Sequence, residues 1–182
     1  MQLPLAGCKS DWIFPRWLPI LAQVAKEAKI RVLVADDDPA FLEALRTMLA
    51  FDGRLEVVGE AHDGEQAVVL AGELAPDVVA MDIVMPLMDG IEATKVIRAS
   101  QPRCRVVLVS GSIFQERIGK GVEVAQQAGA SAYVLKSRAV LELADTVHAV
   151  ALSLPSADFI ALGRDGLTAL LGGESLRTYR VH

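Results

Sequence analysis

Five residues able to handle a metal ion or a phosphoryl group sit at the ends of short apolar runs. Asp36 and Asp37 follow Val32-Leu33-Val34-Ala35, Asp82 follows Val78-Val79-Ala80-Met81, Ser110 follows Val106-Val107-Leu108-Val109, and Lys136 follows Ala132-Tyr133-Val134-Leu135. One aspartate after an apolar run is ordinarily a turn or cap residue. Four runs ending in an acid pair, an acid, a hydroxyl and an ammonium point instead to chemistry. Neighbouring carboxylates about 4 Å apart repel by about 1 kcal/mol in water and about 4 kcal/mol at an effective dielectric near 20, so such a cluster needs a cation. Oxygen-only ligands, few in number and beside a phosphate-sized space, suit Mg²⁺. Lys136 adds a compact positive charge for a phosphoryl oxygen and Ser110 a hydroxyl donor. Asp82 is the expected reactive group.

The elements that must bring these residues together alternate strand and helix from Ile30 onward. After the first strand, Asp38-Pro39 supplies an N-cap oxygen and a proline at the first helical position, where its missing N–H costs nothing. Phe41, Leu42, Leu45, Met48 and Leu49 form that helix's apolar stripe, and Gly53 ends it. Leu55 to Glu60 reads as the second strand. Asp63-Gly64-Glu65-Gln66 and Asp89-Gly90-Ile91-Glu92 resemble capping boxes that open the second and third helices, closed by Pro76 and Pro102. Cys104 to Val109 and Tyr133 to Leu135 are the last two strands, and Ala139 to about Leu152 is the last helix. Gly119 and Gly121 predict a short fourth helix and a longer loop over Gly111 to Lys120, since each glycine costs about 1 kcal/mol inside a helix. Such an order implies right-handed crossovers and a five-stranded parallel sheet with helices on both faces. All strands of a parallel sheet end on one edge, where open α/β folds place their ligands. The five residues therefore share one rim, although 100 residues separate Asp36 from Lys136.

From Ile30 to about Leu152 the chain resembles the receiver domain of two-component response regulators. The residues that carry the resemblance are the acid pair Asp36-Asp37, the run Met81-Asp82-Ile83-Val84-Met85-Pro86 with Asp89-Gly90, Ser110, and Tyr133-Val134-Leu135-Lys136. It looks closest to receivers of LuxR-type regulators. The resemblance implies a flavodoxin-like, doubly wound sheet of order 2-1-3-4-5, and a phosphoryl group accepted on Asp82 from a sensor histidine kinase or phosphotransfer protein. It implies Mg²⁺ held by Asp37, Asp82 and the backbone carbonyl of Val84, with Asp36 contributing through metal-bound water. Lys136 and Ser110 would stabilise the transferred group, and Ser110 with Tyr133 would form the switch. Such a chain is not an enzyme acting on other molecules: it catalyses only its own phosphorylation and dephosphorylation. Ser137 stands where many relatives have proline, and it is expected to cap the last helix. A rival reading uses Asp38: Asp36 and Asp38 form the Asp-x-Asp of haloacid-dehalogenase-like phosphohydrolases, although Pro39 makes Asp38 a better helix cap than acid.

Composition narrows the partners. The chain has 182 residues, a net charge of −5 and two cysteines, Cys8 and Cys104. That is length for one domain with tails, without a disulfide framework or zinc spacing, and cytoplasmic conditions fit it. The negative balance gives no general attraction to nucleic acid or anionic lipid. Residues 1–29 read as a poorly ordered extension: Trp12, Phe14 and Trp17 are interrupted by Asp11, Arg16 and prolines, which excludes a membrane span. Residues 153–182 read as a tail with a short amphipathic helix over 156–171 and disorder beyond Gly173. Too short and too little basic for a helix-turn-helix module, the tail leads to the expectation of no nucleic-acid partner. Output would then run through an unknown downstream protein, with a homodimer as one form. A truncated DNA-binding regulator is the alternative.

Overall fold

The computed structural model describes residues 29–111, 118–152, 160–163, 166–169 and 177–179. Strands β1 (Ile30–Ala35), β2 (Leu55–Ala61), β3 (Val78–Asp82), β4 (Arg105–Ser110) and β5 (Ala132–Leu135) alternate with helices α1 (Pro39–Ala50), α2 (Gly64–Leu74), α3 (Gly90–Ser100), α4 (Ile118–Gln127) and α5 (Lys136–Leu152). The five strands pair in parallel in the order β2-β1-β3-β4-β5, the flavodoxin-like arrangement expected from the sequence.

Alternation along each strand feeds two apolar cores, one on each sheet face. On one face Val32, Val34, Val78, Ala80, Val107 and Val109 pack with Leu42, Leu45 and Leu49 of α1 and Leu143, Val147 and Val150 of α5. On the other, Leu33, Val79, Met81, Val106 and Leu108 meet Ala67 and Ala71 of α2, Ala93 and Ile97 of α3, and Ala125 of α4. Both faces of β3 are covered, so all five of its residues are buried. The uniformly apolar strands follow from that burial.

The helix starts obey the cap chemistry in the sequence. Asp38, Asp63 and Asp89 accept from the backbone N–H of Ala40, Gln66 and Glu92 at 2.9, 2.7 and 2.8 Å. Ser137 does not cap α5. The helix begins one residue earlier, at Lys136, and Ser137 lies exposed in its first turn. Helix α4 is 10 residues long and contains both Gly119 and Gly121; residues 112–117 of the expected loop lie outside the described residues, as does the extension over 1–28.

The tail departs from expectation. Instead of a helix over 156–171 there are strands β6 (Ile160–Gly163) and β7 (Gly166–Ala169), followed by β8 (Arg177–Tyr179) where disorder was expected. β6 pairs in parallel with β5 through Ala132↔Ile160 and Tyr133↔Ala161, and β7 and β8 continue the sheet antiparallel to an order β2-β1-β3-β4-β5-β6-β7-β8. The physical reason is twofold. Without β6 the outer edge of β5 would be unpaired, and Gly163 and Gly166, which face each other in the antiparallel β6–β7 register, penalise a helix. Among the described residues no helix is long and apolar enough to cross a membrane.

Candidate functional site

Parallel register brings the predicted residues to one edge. Asp82 lies beside Val109, one residue before Ser110, and Ser110 lies beside Leu135, one residue before Lys136. Asp36 and Asp37 follow β1, which pairs with β3 through Ala35↔Met81. Asp36, Asp37 and Asp82 each present a carboxylate oxygen within 4.8 Å of the others, Asp36 and Asp82 buried and Asp37 exposed. Val84 follows the end of β3 two residues after Asp82, and the residue is 55% exposed.

Backbone packing fixes the position of Asp82. Its Oδ1 accepts the Ile83 N–H at 2.8 Å. Gly90 donates its N–H to Ile83 at 2.9 Å, and a Cβ on Gly90 would come within 2.0 Å of the Asp82 carbonyl oxygen. Only glycine allows this approach of α3 to the strand end. The loop between them is also tied to α2, where Gly64 donates to the Met88 carbonyl at 3.2 Å.

Lys136 closes the cluster from the far side of the sheet. Its Nζ donates to Asp82 Oδ2 at 2.9 Å and stands 2.6 Å from Asp36 Oδ2. The second contact is an ion pair to a carboxylate that is itself buried. Asp36 Oδ1 accepts the Asp38 N–H at 3.0 Å. Burial pushes the Asp82 carboxyl above the usual carboxylate range; Lys136 works against that rise and Asp36 adds to it. Burial alone would lower the Lys136 ammonium, but the two carboxylates outweigh it and hold the group above its usual value. Desolvation thus wins at Asp82 and charge pairing wins at Lys136.

The donor set fits Mg²⁺. Three carboxylates that converge within 4.8 Å, balanced by a single ammonium, offer the hard oxygen ligands that this cation takes. Asp38 takes no part: it is exposed and its carboxylate caps α1, which removes the second acid that the phosphohydrolase reading requires.

Ser110 and Tyr133 are both buried. The Ser110 hydroxyl donates to the Gly111 carbonyl at 3.2 Å. The Tyr133 hydroxyl is buried and has no hydrogen-bond partner among the described residues, and a Cβ on Gly121 would lie 3.4 Å from it. Sequence reasoning missed the Phe41 ring, whose centroid lies 4.7 Å from Lys136 Nζ. Phe41 belongs to an apolar stripe, so its spacing signals core, and only its place in the first turn after the acid pair could have drawn attention to it.

Comparison with known proteins agrees with this geometry. The profile of the response regulator receiver domain matches residues 32–148. The transcriptional regulatory protein LiaR of Bacillus subtilis is 37% identical over 135 residues, 74% of this chain and 62% of LiaR. A DNA-binding response regulator of the LuxR family from Staphylococcus aureus superposes with a TM-score of 0.61 at 30% identity, covering 67% of this chain and 98% of that one. A CheX–CheY–BeF3–Mg complex from Borrelia burgdorferi gives a TM-score of 0.60 at 26% identity, over 68% and 90% of the two chains. The chain spans 62% of LiaR and 55% of each of two further curated relatives. With a profile match over more than half its length and a relative at 37% identity over 135 residues, the chain belongs to the response regulator receiver domain family.

Proposed function

We propose that this receiver accepts one phosphoryl group on Asp82 from a sensor histidine kinase or a phosphotransfer protein, in a reaction that uses Mg²⁺, and passes the change to a protein partner. The observation that carries the reading is Lys136 Nζ set 2.6 Å from Asp36 and 2.9 Å from Asp82, with the third acid, Asp37, alongside. The CheY relative was captured with Mg and BeF3, which agrees with such a site.

Phosphoryl transfer has a loose transition state, so positioning and charge neutralisation supply most of the rate. Asp82 attacks phosphorus as its carboxylate. The P–O bond to Asp82 forms as the P–N bond to the donor imidazole breaks, and the imidazole leaves with the electron pair of that bond. Ile83 N–H and Lys136 orient the carboxylate through one oxygen each. Asp36, Asp37, Asp82 and the Val84 carbonyl would hold Mg²⁺, which supplies positive charge to the phosphoryl oxygens. Lys136 then has a phosphoryl oxygen to pair with, and Ser110 gains a charged acceptor stronger than the Gly111 carbonyl it now uses. Movement of Ser110 with Tyr133 at β5 is the switch.

Incubating the protein with acetyl phosphate and Mg²⁺ and recording its intact mass tests the reading. One added phosphoryl group in the parent and none in Asp82→Asn is the expected result. Continuous turnover of a small phosphate ester would favour a phosphohydrolase instead. LiaR is named a transcriptional regulator and this chain matches only part of it, so a sequence-specific footprint would move the output from protein contact to DNA.

A further inference from the structure

We propose that Phe41 is a positioning residue for Lys136, its ring face holding the ammonium in place through a cation–π contact while the three N–H donors stay available for oxygen. The inference rests on the acceptor role of Asp82 and concerns how the lysine serves it.

The geometry separates Phe41 from its stripe neighbours. Leu42, Leu45 and Leu49 are at most 3% exposed and fill the core against α5. Phe41 flanks them, only partly buried, with its ring centroid 4.7 Å from Lys136 Nζ. A plain core role does not require the ring to face a charge. The Lys136 side chain is 24% exposed, so water competes for it on the open side. An aromatic face presents negative quadrupole density to the cation and no lone pair. It attracts the ammonium without claiming the hydrogen bonds that Asp36, Asp82 and a phosphoryl oxygen need.

Timing supplies the second argument. Before transfer, Lys136 is held by two carboxylates. During transfer it must turn toward the incoming phosphoryl oxygens. A four-carbon stem has many rotamers, and a non-directional support on one side restricts the search while permitting the turn. The cap fixes where that support stands: Asp38 and Pro39 set the first turn of α1, and Phe41 follows within it.

The test compares Phe41→Leu, Phe41→Trp and the parent carrying mono-, di- and trifluorinated phenylalanine at position 41. The rate of phosphoryl gain from acetyl phosphate at fixed Mg²⁺ should fall about fivefold in Phe41→Leu, a size within reach of a partly exposed cation–π contact, and return in Phe41→Trp. It should fall stepwise with ring fluorination, which weakens the ring's negative face at nearly constant shape. Independently of phosphorylation, the Lys136 ε-methylene protons should show a ring-current shift that disappears in Phe41→Leu. Equal rates in parent and Phe41→Leu, equal losses in the Leu and Trp variants, or a rate indifferent to fluorination would overturn the proposal. So would a missing ring-current shift. A parent that takes up no phosphoryl group, with the shift present, would sink the acceptor role of Asp82 and this role with it; uptake by the parent with a flat fluorination series would sink this inference alone.

Discussion

Lys136 and Asp82 are 54 residues apart in the chain and 2.9 Å apart at Nζ and Oδ2. The pair spans β3 and β5, with β4 between them, so the contact exists only when three parallel strands are in register. It lies among two further acids, which ties the stability of the fold to the ions around it.

Mg²⁺ is expected to stabilise the protein by binding the folded form alone. At ten times its dissociation constant the linkage amounts to about 1.4 kcal/mol, roughly a 5 °C rise in thermal midpoint for a domain of this size. Asp37→Asn should shrink that rise at the same ion concentration. Thermal scans with and without Mg²⁺ check both statements, and an unmoved midpoint in the parent speaks against the site.

Gly90→Ala is expected to destabilise the fold by about 1–3 kcal/mol, the usual cost of overpacking. Its Cβ would stand 2.0 Å from the backbone oxygen of Asp82, an atom that cannot swing aside as a side-chain end could. Denaturant titration gives the number. Stability equal to that of the parent would show that α3 and the β3 end are free to separate.

Tyr133→Phe should raise stability, by about 1 kcal/mol, because it removes a buried hydroxyl that has no partner among the described residues. The same titration applies, and a loss of stability would reveal a hydrogen bond at that oxygen.

Acid should expose the Arg54 contacts. A hydrogen bond from the Arg54 side chain is the main reason that the Asp52 carboxyl is held at about 2 instead of 3.8. Because the folded value is the lower one, the stabilisation is present above pH about 4 and is lost as pH falls toward about 2. Asp52→Asn should therefore be less stable than the parent at neutral pH, by up to about 1 kcal/mol given the exposure of Arg54, and the gap should close across that window. Denaturant midpoints from pH 6 to 2 test it, and a gap that stays constant contradicts the assignment.

The sheet and its chemical edge were legible because local signals agreed with the global arrangement. Uniform apolar runs mark β1, β3 and β4 as buried on both faces, and Asp38, Asp63 and Asp89 mark helix starts by a hydrogen bond that spacing alone suggests. Placing Asp36, Asp82, Ser110 and Lys136 together needed only the rule that parallel strands end on one edge. The ion pair of Lys136 with Asp36 and the ring of Phe41 needed coordinates, since nothing in periodicity separates a residue facing the core from one facing a charge. Strands β6 to β8 were missed for a related reason. Each is three or four residues long, and the pairing on which the other two build is that of β6 with β5, 28 positions earlier at Ala132↔Ile160.

Pairing of β6 with Ala132 and Tyr133 moves β5 from the margin of the sheet to its interior, and the three-residue β8 becomes the margin in its place. A visitor seeking to extend the sheet at β5 meets a seat already taken by β6, and must displace that strand or engage the helices instead. Strand and visitor then compete for the same backbone groups, so whatever loosens β6 raises the apparent affinity of any rival for β5 by the same free energy.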